Sequence, residues 1–577
     1  MKILGLNCYG HDSAATLTID GKVVFATEEE RMNREKHSGA FPIESIKAAL
    51  NYENITISDI DHVVVSWDPS ISYSKIPTYV IQNWKTLPIL ISEMFTWKRE
   101  ENLGMLTYLK DIKNIPNTLQ NYFPDNKINF KFHMLNHHMS HAASCYYPSG
   151  FEKAAILTID GAGEWSTCML GYGDGLQINT LDTVDTPYSL GAFYQAISRY
   201  LGFKLLEGPG KLMGLAPYGD KKSNEYYKLK KLITLLPSGK FEIDMDYFAY
   251  HYTRKTGVSK KFIELFGEEN KNNAKEWTKR ELNIAAAAQE VVEETILHMA
   301  TILKKRTNAE YLCMAGGVAL NSVANGLIAK SGLYKEIFIQ PATGDSGTSL
   351  GATLLLHNNI LKKSRNFIQK DSFLGPSYSS DDYKEALDLA KLDYKQVEED
   401  DLYSEVAKII QDGNIVSWFQ GRMEFGPRAL GNRSFLATPL IADMKDILNK
   451  RVKFREPFRP FAAIVLEEDV GKYFDFEYKN PYMLFVFNVR EKYKNIIPAI
   501  THVDGSCRIQ TVNKEENPHI YKLLLEFKKL TGHSIVINTS YNIKGEPIVC
   551  SPKEAINSYM NADVDCLIMG NYISMKK

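Results

Sequence analysis

Ten residues concentrate side chains that can hold a metal. Leu135-Asn136-His137-His138-Met139-Ser140-His141-Ala142-Ala143-Ser144 carries three of the chain's thirteen histidines. Asn136 is a suitable N-cap, and Pro148 and Gly150 close the stretch after Tyr147, so a helix is expected. On a helix His137 and His141 stand at i and i+4 on one face, where two imidazoles can share a divalent ion. A helix whose histidines cap or fill a core fits the same spacing. His138 is rotated by about 100° from His137 and is assigned a supporting role, with the i,i+3 pair His138/His141 left open. The glutamate of a His-Glu-x-x-His protease helix is absent.

A second group of residues is cationic. Gly421–Ser434 carries Arg422, Arg428 and Arg433, and Arg451–Pro460 carries Arg451, Lys453, Arg455 and Arg459. Asp504–Arg508 and Asn538-Thr539-Ser540-Tyr541-Asn542 follow. Pro457 and Pro460 oppose a helix, so Lys453 and Arg455 are expected to alternate along an extended segment and point to one face. Cations in such a row, with hydroxyl and amide partners elsewhere, make a polyanion pocket. A solvated basic edge is the plainer alternative, but the interleaved Phe454, Phe458 and Phe461 imply burial, and buried cations need partners.

These groups need elements to position them. Lys2–Asn7, Ala14–Ile19 and Lys22–Thr27 read as strands, with Asp20-Gly21 as a hairpin turn between the last two. Ala154–Ile159, Ser166–Tyr172 and the turn Gly173-Asp174-Gly175 repeat the pattern, which suggests a duplicated nucleotide-binding fold. Glu207–Gly219 reads as a glycine-rich loop, but Leu212 stands where a Walker A motif needs Ser or Thr. Leu282–Lys305 reads as a helix. Tyr311–Asn321 then reads as strand, glycine turn and helix start, and Glu336–Gln340 runs into a loop holding Asp345. Asp345 can cap the next helix or reach a ligand. Residues 68–126 are aromatic-rich and read as an irregular insertion.

A chain of 577 residues is too long for one core, and 44% hydrophobic with 24% charged residues is ordinary for a soluble protein. The formal charge of −1 gives no general pull toward nucleic acid or anionic lipid. Seven scattered cysteines form no Cys-x-x-Cys pair, against zinc ribbons and disulfide scaffolds and in keeping with a reducing cytosol. The apolar run at the N-terminus is too short for a signal peptide, and Lys85, Pro88 and Glu93 interrupt Thr78–Trp97. A soluble, cytoplasmic protein is expected, with no nucleic-acid or membrane partner.

The motifs taken together resemble the O-carbamoyltransferases that decorate nodulation factors and antibiotics such as tobramycin. The matching stretches are Gly10–Ala14, Ala26–Arg31, His137–Ser144, Gly210–Gly219, Gly316–Asn321, Phe425–Arg433, Lys453–Pro460 and Asn538–Asn542, in the family's order across nearly the whole chain. The resemblance implies an α/β protein of two domains. Residues 1–360, with the insertion at 68–126, would form an actin-like ATPase (ASKHA) domain, a duplicated RNase H-like fold similar to threonylcarbamoyltransferases. Residues 361–372 would link it to a YrdC-like α/β domain at 373–577.

What the resemblance implies chemically is an ATP-dependent carbamoyltransferase in two steps. Carbamoyl phosphate and ATP would give carbamoyl adenylate in the C-terminal domain through Arg428, Lys453, Arg455, Arg459, Arg508, Asn538, Ser540 and Asn542. Lys453 and Arg455 would be catalytic there. The N-terminal domain would pass the carbamoyl group to a hydroxyl of a small natural product or sugar, with His137, His141 and Asp345 on a metal, Fe²⁺ ahead of Zn²⁺. Asp160, Gly161, Lys211, Gly317 and Asn321 would contact the nucleotide. His11 is the candidate general base and Asp12 its orienting group, although a loop histidine can also cap its own turn. Mg²⁺ is expected with ATP, and a homodimer is among the expected assemblies. Two rivals remain: an enzyme of tRNA threonylcarbamoylation, which would need a basic RNA-binding surface, and a regulatory actin-like ATPase.

Overall fold

In the computed structural model, which describes residues 1–89, 105–253, 255–272 and 274–576, the chain divides into two compact units. Residues 1–29 and 37–369 form the first; residues 30–36 and 370–577 form the second.

The first unit holds two sheets of one topology. Strands β1 (Lys2–Asn7), β2 (Ala14–Ile19) and β3 (Lys22–Glu28) run as an antiparallel meander. Strands β4 (His62–Val65) and β5 (Lys131–Met134) add in parallel on the other side of β1, giving the order β3-β2-β1-β4-β5. The expected turn is present, with Asp20 at φ 49° and Gly21 at φ 79°, the pair of positive dihedrals that a tight hairpin needs. The second sheet repeats the plan. Strands β6 (Lys153–Ile159), β7 (Ser166–Asp174) and β8 (Gln177–Asp185) form the meander. After a small hairpin, β9 (Ile233–Leu235) and β10 (Phe241–Ile243), strands β11 (Tyr311–Ala315) and β12 (Glu336–Ile339) add in parallel to give β12-β11-β6-β7-β8. This doubled RNase H-like sheet is the actin-like arrangement.

Two helices between these sheets matter for chemistry. His137–Tyr146 starts on Asn136, whose side chain accepts from the Met139 amide. Ser346–Leu354 lies against it so closely that a Cβ on Gly351 would sit 1.8 Å from the Ser140 carbonyl oxygen. Only a glycine fits there.

Two readings from sequence differ from the fold. The expected glycine-rich loop at 207–219 is the helix Gly208–Leu215 followed by a 3₁₀ turn, because Pro209 preorganises the first turn and Leu212 and Leu215 bury their side chains. The insertion is not irregular where it is described: Asp68 caps the helix Pro69–Gln82, and the helices Met105–Lys113 and Ile115–Tyr122 follow. Residues 90–104 of that insertion lie outside the described residues.

The second unit is built on one mixed sheet. Its strands are β13 (Lys395–Gln396), β14 (Val416–Phe419), β15 (Arg433–Ala437), β16 (Ala462–Leu466), β17 (Phe485–Asn488), β18 (Ser506–Val512), β19 (Ile535–Ser540), β20 (Cys566–Met569) and β21 (Tyr572–Met575). They lie in the order β13-β21-β20-β14-β15-β19-β16-β18-β17. Trp418, Leu436, Ile464, Leu524, Phe527 and Val536 belong to the core where the helices Glu399–Gln411 and Pro518–Thr531 cover this sheet. Residues 30–36 group with this unit. Arg31 donates to the Gly426 carbonyl at 3.0 Å, Arg34 to those of Pro547 and Ile548 at 2.8 and 2.7 Å, and Met32 packs against Met423, Ala429 and Cys550.

Candidate metal centre and anion site

His137 and His141 turn their Nε2 atoms toward each other, 3.1 Å apart. Asp160, at the end of β6, places Oδ2 3.2 and 3.6 Å from the two nitrogens. Asp345, at the start of the Ser346 helix, places Oδ1 3.7 Å from each. One donor atom from each of the four residues lies within 4.8 Å of the others. The Asp345 carboxylate makes no capping bond to its own helix, so the capping alternative is not realised. His138 instead turns Nδ1 to the Thr158 hydroxyl at 2.7 Å, and burial pushes its pKa down to about 3, leaving it neutral.

The surroundings suit a divalent cation. The His137 Nδ1 lies 3.3 Å from the Ser66 carbonyl, which makes that nitrogen the donor, so Nε2 is the atom that offers a lone pair once the ring is neutral. Burial opposes charge on His137, yet Asp160, Asp345 and Glu164 raise its pKa to about 9. Three carboxylates against two imidazoles leave the pocket short of positive charge. Glu164 also accepts from the His137 amide at 2.9 Å and the Asn136 side chain at 3.0 Å, holding the positive end of the histidine helix.

The expected nucleotide contacts divide. Asp160 Oδ1 accepts from the Gly317 amide at 2.8 Å, which brings Asp160, Gly161 and Gly317 to one place. Asn321 caps the helix Ser322–Lys330 and bonds Gln289, so its side chain is occupied within the fold. Lys211 pairs with Glu207 at 3.3 Å on its own helix. His11, two-fifths exposed, lies with Nδ1 3.0 Å from Asp12 and Nε2 3.6 Å from Asp345 Oδ2, beside the metal centre. Burial opposes its charge, but Asp345, Asp12 and Asp160 raise its pKa to about 10.

In the second unit the expected extended run at Lys453 is absent. Leu448–Lys453 is a π-helical turn, and Phe454 closes it in the left-handed region at φ 45°, half-exposed. That reversal, rather than strand alternation, turns the flanking cations inward. Lys453 Nζ donates to the carbonyl and side chain of Asn542, each at 3.0 Å, and to the Ser540 hydroxyl at 3.2 Å. Arg455 donates to Asn449 at 2.7 Å and lies 4.3 Å over the Phe461 ring. Burial and then Arg455, Arg459 and Lys36 hold the Lys453 pKa well below that of a free lysine. Burial with Arg428, Arg455 and Arg459 does the same to Arg508, and burial with Arg459 lowers Arg428 to about 10. The buried Nε atoms of Arg428 and Arg508 have no hydrogen-bond partner among the described residues. Mutually repelling cations in this state call for a multiply charged anion. Asn538 faces the fold instead, donating to Ala429 and Gln510.

Sequence reasoning missed Asp160 as a metal-range carboxylate and Glu164 as the helix anchor. Asp160 follows a strand just as Asp345 does, and that was the available signal.

The family model described as the carbamoyltransferase N-terminus matches residues 2–354, and that of the carbamoyltransferase C-terminus matches 407–576. An uncharacterized protein of Synechocystis sp. is 40% identical over 100% of this chain and 96% of its own length. Nodulation protein NolNO of Sinorhizobium fredii is 35% identical over 99% of this chain and 80% of the relative. Nodulation protein NolO of Bradyrhizobium diazoefficiens is 38% identical over 77% of this chain and 79% of the relative. With both family models matched in order, and with a cation cluster and a His/Asp centre to work with, the chain belongs to the carbamoyltransferase family and is an enzyme of that activity.

Proposed function

We propose that this enzyme is an ATP-dependent O-carbamoyltransferase working through carbamoyl adenylate. Water releases phosphate from carbamoyl phosphate, the carbamate oxygen attacks the α-phosphorus of ATP, and pyrophosphate leaves. Lys453, Arg455, Arg428, Arg459 and Arg508 bind the anions and offset the charge that grows during displacement at phosphorus. Ser540 and Asn542 orient Lys453. The observation that carries this reading is the cation cluster, whose members lower one another's pKa values.

In the second step an acceptor hydroxyl attacks the carbamoyl carbon, its proton passes to Nε2 of neutral His11, and the carbon–oxygen bond to AMP breaks. A cation held by Asp160 and Asp345 would cancel charges that otherwise keep His11 protonated. Asp12 holds the other nitrogen of His11. His137, His141, Asp160 and Asp345 would hold the divalent metal, Fe²⁺ or Zn²⁺, which when bound supplies positive charge for the phosphate of the leaving AMP. Asp160, Gly161 and Gly317 adjoin that place and are assigned to the nucleotide. The acceptor class is a small hydroxylated natural product or sugar, and the setting is the cytoplasm; among the described residues no helix is long and apolar enough to cross a membrane.

Labelled carbamoyl phosphate and ATP should give carbamoyl adenylate with the intact protein. Lys453→Ala should abolish it, whereas His137→Ala should leave adenylate formation and block transfer. Absence of adenylate from the wild type, with or without an acceptor, would sink the reading.

A further inference from the structure

His11 hangs from a turn that is fixed from one side by a second short segment. Asp12 bridges two imidazoles: Oδ2 lies 3.0 Å from His11 Nδ1, and Oδ1 lies 2.8 Å from His37 Nδ1. The backbones are stapled as well. The Tyr9 amide donates to the Gly39 carbonyl at 3.1 Å and the Ser13 amide to that of Ser38 at 2.9 Å. A Cβ on Gly39 would lie 2.2 Å from the Gly10 carbonyl oxygen, so the two segments run flush. Tyr9 at φ 68°, Asp12 at φ 53° and His37 at φ 56° all sit in the left-handed region, which side chains with a Cβ adopt only at a cost. Three strained residues around one carboxylate persist only where the surroundings over-determine them, and such clusters mark functional sites.

We propose that His37 is a positioning residue for the transfer step. Its Nδ1–H holds Asp12 Oδ1, which aims Oδ2 at Nδ1–H of His11 and so presents Nε2 toward the acceptor, beside the metal centre. Without His37 the carboxylate is free to rotate about its own bond, and His11 loses its fixed direction. A base misplaced by as little as 1 Å can cost about a hundredfold in rate. The two imidazoles thus have different tasks: His11 meets the substrate, and His37 holds Asp12. Asn7 supports the same geometry from below by donating to the carbonyls of His11 and Asp12 at 3.2 and 3.0 Å. This inference rests on the reading of the first unit as the transfer site with His11 as base.

The test uses the intact protein loaded with metal, carbamoyl phosphate and ATP, and methyl α-glucoside as the hydroxyl probe. Phosphate and pyrophosphate release report the first step; AMP release reports the second. His37→Ala should slow AMP release at least tenfold, with the KM for the glucoside changed less than twofold and pyrophosphate release unchanged. His37→Asn, whose side-chain N–H can still reach Asp12, should recover most of the rate. Equal AMP release by His37→Ala and wild type, loss of pyrophosphate release, or an Asn variant no better than Ala would overturn the proposal. Histidine-selective ¹⁵N labelling gives a readout without turnover. Imidazole N–H protons bonded to Asp12 should resonate far downfield, and His37→Ala should shift or broaden the signal of His11. An unmoved His11 signal would overturn the proposal even if wild-type protein made no adenylate, an outcome that separately removes the two-step reading.

Discussion

Asp160 sits at the crossing of two demands, since one of its oxygens faces the imidazole pair and the other takes the Gly317 amide. Asp160→Asn removes the charge and keeps the shape, so the fold should survive. Affinity for Zn²⁺, measured by competition with a chelating dye, should fall by about tenfold to a hundredfold or more, the range seen even for groups behind the ligands. Unchanged affinity would remove Asp160 from the centre. The His137/His141 pair was legible because helical periodicity is local: four residues decide it. Asp160 was not, since its contact with His137 spans 23 residues and depends on where β6 ends relative to the helix. His37 was equally hidden, because its partner Asp12 lies across a turn whose left-handed residues are not glycines and give no composition signal.

At the scale of elements, one close approach sets the alignment of the whole centre. The Ser346–Leu354 helix carries Asp345 at its start, and its Gly351 lies against Ser140 between His137 and His141. Gly351→Ala forces the helices apart. It should destabilise the protein by about 1–3 kcal/mol in urea unfolding, the usual cost of overpacking, and weaken metal binding although no ligand is touched. A variant with normal stability and normal Zn²⁺ affinity would show that the spacing is unimportant. The doubled sheet was legible from two hairpins, because strand alternation and Asp-Gly turns are written in adjacent residues. The segment around Lys453 was misjudged for the opposite reason. Its prolines argued correctly against a regular helix, but they could not signal a π-helical turn closed by a left-handed phenylalanine.

For the molecule as a whole, buried histidines shape stability against pH from both sides. Burial lowers His138 to about 3 and His251 to about 4 from an ordinary 6.5. A lowered histidine leaves the unfolded chain binding more protons below 6.5, so stability falls as pH drops from 6.5 through about 4. His137, raised to about 9 by Asp160, Asp345 and Glu164 against burial, acts in the other direction. Its contribution is complete below 6.5 and is lost as pH rises to about 9. Metal-free protein should therefore have its highest urea midpoint near pH 6.5, with lower values at pH 5 and pH 9. Zn²⁺ should raise the midpoint most at pH 9, where His137 has given up its proton. A midpoint at pH 5 equal to that at 6.5 would refute the acid limb.

The excursion at residues 30–36 has a consequence in time. Arg31 leaves the ribosome 395 residues before Gly426, the carbonyl it serves. At about 5–20 residues per second, that is an interval of tens of seconds. During it the excursion has left a unit already being built and has nothing yet to join. The second unit, in turn, closes around residues made long before its own first strand. Those bonds therefore cannot all form until Pro547 and Ile548 have been made, and a fragment begun at Lys370 would leave Gly426, Pro547 and Ile548 without those donors.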